Sequence, residues 1–320
     1  MKPSASTNER MSIAAADLAA KTVVIINATA GSGRTVEWAE ALTGKFRASG
    51  LQVEVTLVQN VAHMITTAQR ALRLGAPIIV AGGGDGTINA VASVLTGTGT
   101  PLGVLPLGTL NHFAKDLHIP LELDEAIRSI ATGRTVRIDV GEINDKIFLN
   151  NSSLGLYPDI VRGREKLQRR LGRGKWSAFF WATLAALRRY PFLNARLTID
   201  GVEHVRRAPF IFIGNNEYLM EGFNIGTRAR LDAGVLSLYL AQRMGRLGLV
   251  RLAFSSLFGR LRQERDFDAL TTREIRIDTR HKRLRVSTDG EVTLMAMPLR
   301  YRIRSGALRV IVPGNLGPGH

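Results

Sequence analysis

Cysteine is absent from all 320 positions, which excludes a disulfide framework, thiol catalysis and any cysteine-ligated metal. That absence fits a reducing cytoplasm. Aromatic residues make up only 6 %, and no recognisable nucleic-acid reading module is present, so nucleic acid is disfavoured as a partner. The histidines (His63, His112, His118, His204, His281, His320) contain no His-x-x-x-His pair, which argues against a zinc site. No apolar run is long enough to cross a bilayer. The first 21 residues, broken by Asn8, Glu9, Arg10 and Asp17, hold no continuous apolar segment of the kind a secretion signal needs. Acid is also short: 27 Asp and Glu face 43 Lys and Arg, a net charge of +16. Such a chain seeks polyanions, either nucleic acid or an anionic membrane surface.

Glycine, by contrast, is placed with purpose. Residues Gly82-Gly83-Gly84-Asp85-Gly86-Thr87 follow the apolar run Ile78–Ala81. Three successive glycines carry an entropic penalty, so a chain keeps them where backbone must touch something. Between a strand and a helix that something is most often phosphate, because N–H groups and the helix dipole converge on an anion there. Asp85 inside the cradle points to metal chemistry or to proton removal from an attacking hydroxyl. The plainer alternative is a glycine-rich turn with a helix-capping aspartate.

Residues 1–20 read as a flexible arm. From 21 to 134, apolar strands at 22–26, 53–58, 77–81 and 102–105 alternate with helical patterns at 35–49, 62–74 and 87–95. This alternation predicts an α/β domain with a doubly wound parallel sheet. Its Gly-rich loops, Asn27 to Arg34, Gly82 to Thr87 and Pro106 to Asn111, all fall at C-terminal strand ends, where such sheets bind ligands. From 135 to 305 the pattern changes to short strands at 135–140, 147–150, 195–199, 209–214, 236–240, 274–278, 284–287 and 299–303, most joined by turns. That predicts an antiparallel β-sandwich or barrel. Helical insertions are expected at 175–189, rich in Trp and Phe, and at 247–261. Cations cluster in Arg162, Arg164, Lys166, Arg169, Arg170, Arg173 and Lys175, and again in Arg243, Arg246, Arg251, Arg260, Arg262 and Arg265. The first cluster adjoins the aromatic helix, a combination suited to a membrane interface; solvated helix faces and a core-facing aromatic stripe are the alternatives.

Two phosphate motifs fail. Thr87 stands where Gly-x-Gly-x-x-Gly needs its third glycine, and Ala28 and Arg34 break a Walker A pattern. The residues instead resemble the diacylglycerol kinase catalytic-domain family, which includes bacterial lipid kinases and sphingosine kinases. The resemblance covers most of 22–313. It rests on Asn27–Gly33, Gly82–Thr87, Pro106-Leu-Gly-Thr-Leu-Asn111-His-Phe-Ala114, Gly214-Asn215 through Gly222-Phe223, Leu231–Leu236 and Asp289-Gly290-Glu291. Ala28, His112 and Ala233 stand where the family usually has Pro, Asp and Asp.

The resemblance implies an N-terminal nucleotide-binding domain and a C-terminal β-rich lipid-binding domain, with residues 306–320 returning to the first. It implies an ATP-dependent lipid kinase using Mg2+ and a lipid alcohol such as diacylglycerol. The enzyme would be cytoplasmic and peripheral to the inner face of the membrane, and a homodimer is compatible. Carried over by position, Asn27, Gly31, Gly33, Arg34, Gly82, Gly83, Gly84, Gly86, Thr87, Gly108, Thr109 and Asn111 would line the nucleotide. Asp85, Asp289 and Glu291 would be catalytic, and Asp289, Glu291 and Asp232 would be metal ligands. Ala233 puts a family metal site in question. A non-catalytic lipid-binding relative and an NAD kinase, whose superfamily also carries Gly-Gly-Asp-Gly-Thr, are the alternatives.

Overall fold

The computed structural model describes residues 21–29, 34–155, 193–221, 224–228, 230–241 and 267–314. The arm at 1–20, both arginine-rich clusters and both predicted helical insertions lie outside them. The chain divides into two units, 1–138 with 306–320, and 139–305. It passes between them once within a strand at Arg134–Ile143 and once within a strand at Leu299–Val312.

In the first unit, β1 (Thr22–Asn27), β2 (Val53–Val58), β3 (Ile79–Gly83) and β4 (Leu102–Pro106) form a parallel sheet in the order β2-β1-β3-β4. β1, β3 and β4 are buried along almost their whole length, as their unbroken Val, Ile and Leu runs require when helices cover both faces. Helices α1 (Val36–Ala48), α2 (Val61–Arg73) and α3 (Asp85–Leu95) connect the strands. α2 packs on α3, and α1 on α5 (Leu123–Thr132). Thr35 caps α1 by accepting from the Trp38 N–H at 3.3 Å, and Asn60 caps α2 by accepting from the His63 N–H at 2.9 Å. The strand order reverses direction between β1 and β3, which opens a crevice beyond their C-terminal ends.

Two expectations shift here. β3 runs on to Gly83 and α3 begins at Asp85 rather than Thr87, so the glycine loop is only one residue long. A carboxylate in the first helical turn is favoured by the dipole, which moves the boundary back. α5 and the short α4 (His112–Asp116) were not anticipated.

The second unit is a β-sandwich. One antiparallel sheet contains β14-β13-β10-β7-β16-β17: Phe267–Thr272, Leu236–Ala241, Phe210–Asn215, Asn151–Gly155, Arg283–Thr288 and Glu291–Ala296. The other contains the start of β18 (Leu299–Val312), then β15 (Glu274–Thr279), β8 (Leu193–Ile199) and β9 (Val202–Ala208). The strand at 134–143 is β5, which pairs with β18 and with β6 (Lys146–Phe148). β11 (Tyr218–Glu221) and β12 (Asn224–Arg228) form a ribbon. Alternate residues fill the core: Leu197, Ile199, Ile275, Ile277, Leu299 and Tyr301 from one sheet meet Leu154, Ile211, Ile213, Leu236, Leu238 and Val286 from the other. The later half of β18 lies parallel to β4 in the first unit, with Val310 opposite Leu102.

Candidate functional site

Parallel pairing sets the ends of β1, β3 and β4 level, with Ile26 opposite Gly82 and Gly83 opposite Pro106. The loops that leave these ends interlock. Asn27 Nδ2 donates to Thr87 Oγ1 at 3.2 Å, tying the end of β1 to the start of α3, while Asn27 Oδ1 accepts from the Thr29 N–H and hydroxyl at 3.0 and 2.7 Å. The Leu107 N–H donates to the Gly83 carbonyl at 3.0 Å. Gly84 and Gly108 meet backbone to backbone: a Cβ on Gly108 would strike the Gly84 Cα and lie 2.9 Å from Asn111 Oδ1. A Cβ on Gly83 would fall on the Thr87 side chain.

Asn111 holds the third loop from inside. It is buried, in the left-handed region at φ 50°. Its Oδ1 accepts from the Gly108 N–H at 3.0 Å, and its Nδ2 donates to the Gly108 and Pro106 carbonyls at 2.9 and 3.3 Å. Asp85 reaches across from α3, and its two oxygens accept from the His112 and Phe113 N–H groups at 3.3 and 3.1 Å. This caps α4, a role the sequence did not signal. A carboxylate offers about four lone-pair sites, so Asp85 keeps capacity for a further donor or a cation.

This surface fits a phosphate chain. Unlike α1 and α2, α3 starts at Gly84 with no side-chain cap. A Cβ built on Gly86 would meet nothing within 4 Å. Arg34 stacks over Trp38 at 4.4 Å, and its Nε is buried with no hydrogen-bond partner among the described residues. Burial pushes its pKa down from the ordinary value. Gly82 is buried at the strand end and Thr109 is exposed on the third loop. Gly31 and Gly33 lie outside the described residues.

The second unit presents a different arrangement. Asp289 and Gly290, at φ 48° and 83°, form the two-residue turn of the β16–β17 hairpin. The turn sets the Asp289 carboxylate on three successive amides. Leu149 N–H donates to Oδ2 at 2.7 Å; Asn150 and Asn151 N–H donate to Oδ1 at 2.8 and 3.0 Å. Glu291 pairs with Lys146 at 2.8 Å. Asp232 is exposed and pairs with Arg230 at 2.9 Å, and that bond holds the Arg230 pKa above its ordinary value. Among the described residues no three of His, Asp and Glu are gathered to hold a metal ion, so Asp232, Asp289 and Glu291 do not form one such group.

Several buried polar residues have roles the sequence did not signal. Asp139 accepts from the Gly234 N–H at 2.6 Å and donates its own N–H to the Leu231 carbonyl at 2.8 Å, fixing the loop that carries Asp232. Asn215 Nδ2 donates to the Asp139 and Leu149 carbonyls at 3.0 and 2.9 Å. Arg228, also buried, bonds to the same segment.

Residues 21–143 match the family described as diacylglycerol kinase catalytic domain, and residues 162–312 match the YegS C-terminal NAD kinase beta sandwich-like domain. A diacylglycerol kinase of Mycobacterium tuberculosis (strain ATCC 25618 / H37Rv) is 30 % identical over 304 residues, which cover 92 % of this chain and 95 % of that protein. A probable lipid kinase, YegS-like, of Yersinia enterocolitica is 35 % identical over 196 residues, 59 % of this chain. The match spans 64 % of the length of that relative and 44 % of a YegS-like relative from Klebsiella pneumoniae. A crystal structure of a diacylglycerol kinase from Bacillus anthracis shares the fold, with a TM-score of 0.67 at 20 % identity, covering 92 % of this chain and 97 % of that one. The chain belongs to the diacylglycerol kinase-like lipid kinase family.

Proposed function

We propose that this chain is an ATP-dependent lipid kinase that moves the γ-phosphoryl group onto the hydroxyl of a lipid alcohol such as diacylglycerol. The observation that carries the reading is Asp85, a carboxylate with spare acceptor capacity at the uncapped start of α3. Phosphoryl transfer needs positioning and charge stabilisation more than covalent chemistry. The α3 N-terminal N–H groups, Arg34 and Thr109 would hold phosphate oxygens, with Gly31 and Gly33 in the first loop. Asn27, Thr87 and Asn111 act through the loops they tie together.

Asp85 would accept a hydrogen bond from the acceptor hydroxyl and orient it. As the new oxygen–phosphorus bond forms and the β,γ-bridge breaks, the hydroxyl proton passes to a carboxylate and then to solvent. Asp289 and Glu291 are proposed as catalytic carboxylates as well as Asp85. Mg2+, when bound, would neutralise phosphate charge. The net charge of +16 supports peripheral attachment to an anionic membrane. A second reading, with NAD as acceptor, is favoured by the NAD kinase-like description of the C-terminal family.

The test is γ-phosphate transfer to diacylglycerol in mixed micelles by wild type and Asp85→Asn. The variant keeps one acceptor oxygen for the α4 amides and is expected to fold, with turnover lost. Near-normal turnover would remove Asp85 from the chemistry.

A further inference from the structure

We infer that Arg228 is a positioning residue for the Asp289 carboxylate, acting through the peptide that joins Leu149 to Asn150. The inference rests on the catalytic role proposed for Asp289.

Arg228 ends β12 and is 4 % exposed. Its Nη1 donates to the Leu149 carbonyl at 2.6 Å and to the Asn215 carbonyl at 3.1 Å, and its Nη2 donates to Asn150 Oδ1 at 2.9 Å. Its guanidinium carbon lies 5.5 Å from the centre of the Tyr218 ring. The opposite side of the same segment carries the three N–H groups that hold Asp289. The Leu149–Asn150 peptide therefore has its carbonyl on a cation and its N–H on an anion. Its dipole is aligned with both, so each charge strengthens the other's hydrogen bond.

A buried arginine is expensive to desolvate, and an apolar residue of similar volume often packs at lower free-energy cost. The fork of Arg228 is matched instead to three acceptors on the strand ends around residue 150, a geometry lysine cannot reproduce. Asn215 adds a second donor to the Leu149 carbonyl at 2.9 Å. With its carbonyl side clamped, the 149–151 segment presents its amides in one orientation, and the carboxylate follows. A misplacement of about 1 Å in a catalytic group lowers turnover on the order of 10²-fold.

The experiment compares Arg228→Met, Arg228→Lys, Asp289→Asn and the Arg228→Met/Asp289→Asn double variant. The readouts are kcat and KM for transfer from ATP to diacylglycerol, thermal unfolding, and hydrogen exchange of the 149–151 amides. Arg228→Met is expected to lower kcat on the order of 10²-fold with the KM for ATP little changed. Exchange at 149–151 should rise, and Arg228→Lys should fall between. The double variant should be no slower than Asp289→Asn alone, because both changes break one unit. A folded Arg228→Met with wild-type kcat and exchange would overturn the inference, as would a double variant slowed by the product of the single effects. If Arg228→Met does not fold, Arg228→Lys carries the same comparison. Wild-type turnover in Asp289→Asn would instead sink the catalytic role of Asp289, while the exchange data would still report whether Arg228 orders the segment.

Discussion

Replacing Gly108 by alanine tests whether the loops interlock as described. The new Cβ would strike the Gly84 Cα and stand 3.1 Å from the Gly84 nitrogen and 2.9 Å from Asn111 Oδ1. Two of these atoms are backbone, so no side-chain rotation relieves the clash. Overpacking of this kind costs about 1–3 kcal/mol. Separation of the loops also weakens the Asn111 bonds to Gly108, at about 1 kcal/mol each. The sum, roughly 3–5 kcal/mol, is a large share of the stability of an ordinary domain. Two controls behave differently. Gly84→Ala places its Cβ 3.5 Å from Gly108 Cα, an ordinary contact, and should change stability by less than about 1 kcal/mol. Gly86→Ala enters open space within the first turn of α3 and should stabilise by about 0.5–1 kcal/mol. If phosphates dock at that turn, the same methyl occupies their space. Gly86→Ala should then unfold later in urea yet bind ATP more weakly by calorimetry. An unchanged urea midpoint in Gly108→Ala would refute the interlocking. Undiminished ATP binding by Gly86→Ala would move the phosphate site elsewhere.

Tyr301 gives a pH test. Burial pushes its phenol well above the usual tyrosine pKa, while its hydrogen bond to Ser152 at 3.0 Å pulls the other way. Above about pH 10 the unfolded chain loses this proton and the folded chain keeps it, so stability is intact below that pH and falls by about 1.4 kcal/mol per unit above it. Tyr301→Phe should flatten that alkaline arm and cost about 1 kcal/mol at neutral pH, because Ser152 loses its partner; urea midpoints from pH 8 to 11 check this, and an unchanged alkaline slope refutes it. Reversing the charges of Arg169, Arg170 and Arg173 to Glu should weaken sedimentation with phosphatidylglycerol vesicles, most clearly at low salt; unchanged binding would mark that stretch as an ordinary solvated face.

The parallel sheet was legible because strictly apolar runs ended in glycine-rich loops, and burial of β1, β3 and β4 on both faces demands such runs. The sandwich was legible as a class, but β7, β9, β11, β12, β14 and β17 were not read. In β9 and β17 outward residues such as Val202, Val205 and Leu294 are apolar yet face solvent, so the period-two signal is blurred. The helix α5 carried its signal openly, with apolar Leu123, Ala126, Ile127 and Ile130 at helical spacing before Gly133, and it was passed over. At the site, motif order located Asp85, Asn111 and Asp289. It did not reveal that Asn111 spends its amide on its own loop, or that Asp85 and Asp289 are held by backbone N–H groups. Those bonds join residues 27 to 140 positions apart or depend on a left-handed turn, and backbone donors leave no mark in a sequence. Arg228 was hidden for a related reason: among 43 cations nothing in the sequence marks it as one that is buried.

The most direct test of the account is transfer of radiolabelled γ-phosphate from ATP, with Mg2+, to a panel of lipid alcohols in mixed micelles. Diacylglycerol, a sphingoid base and phosphatidylglycerol form the panel, with NAD as a separate acceptor. The account predicts label in a lipid, lost in Asp85→Asn. Label in NAD alone, or in no acceptor from folded protein that binds ATP, would contradict it.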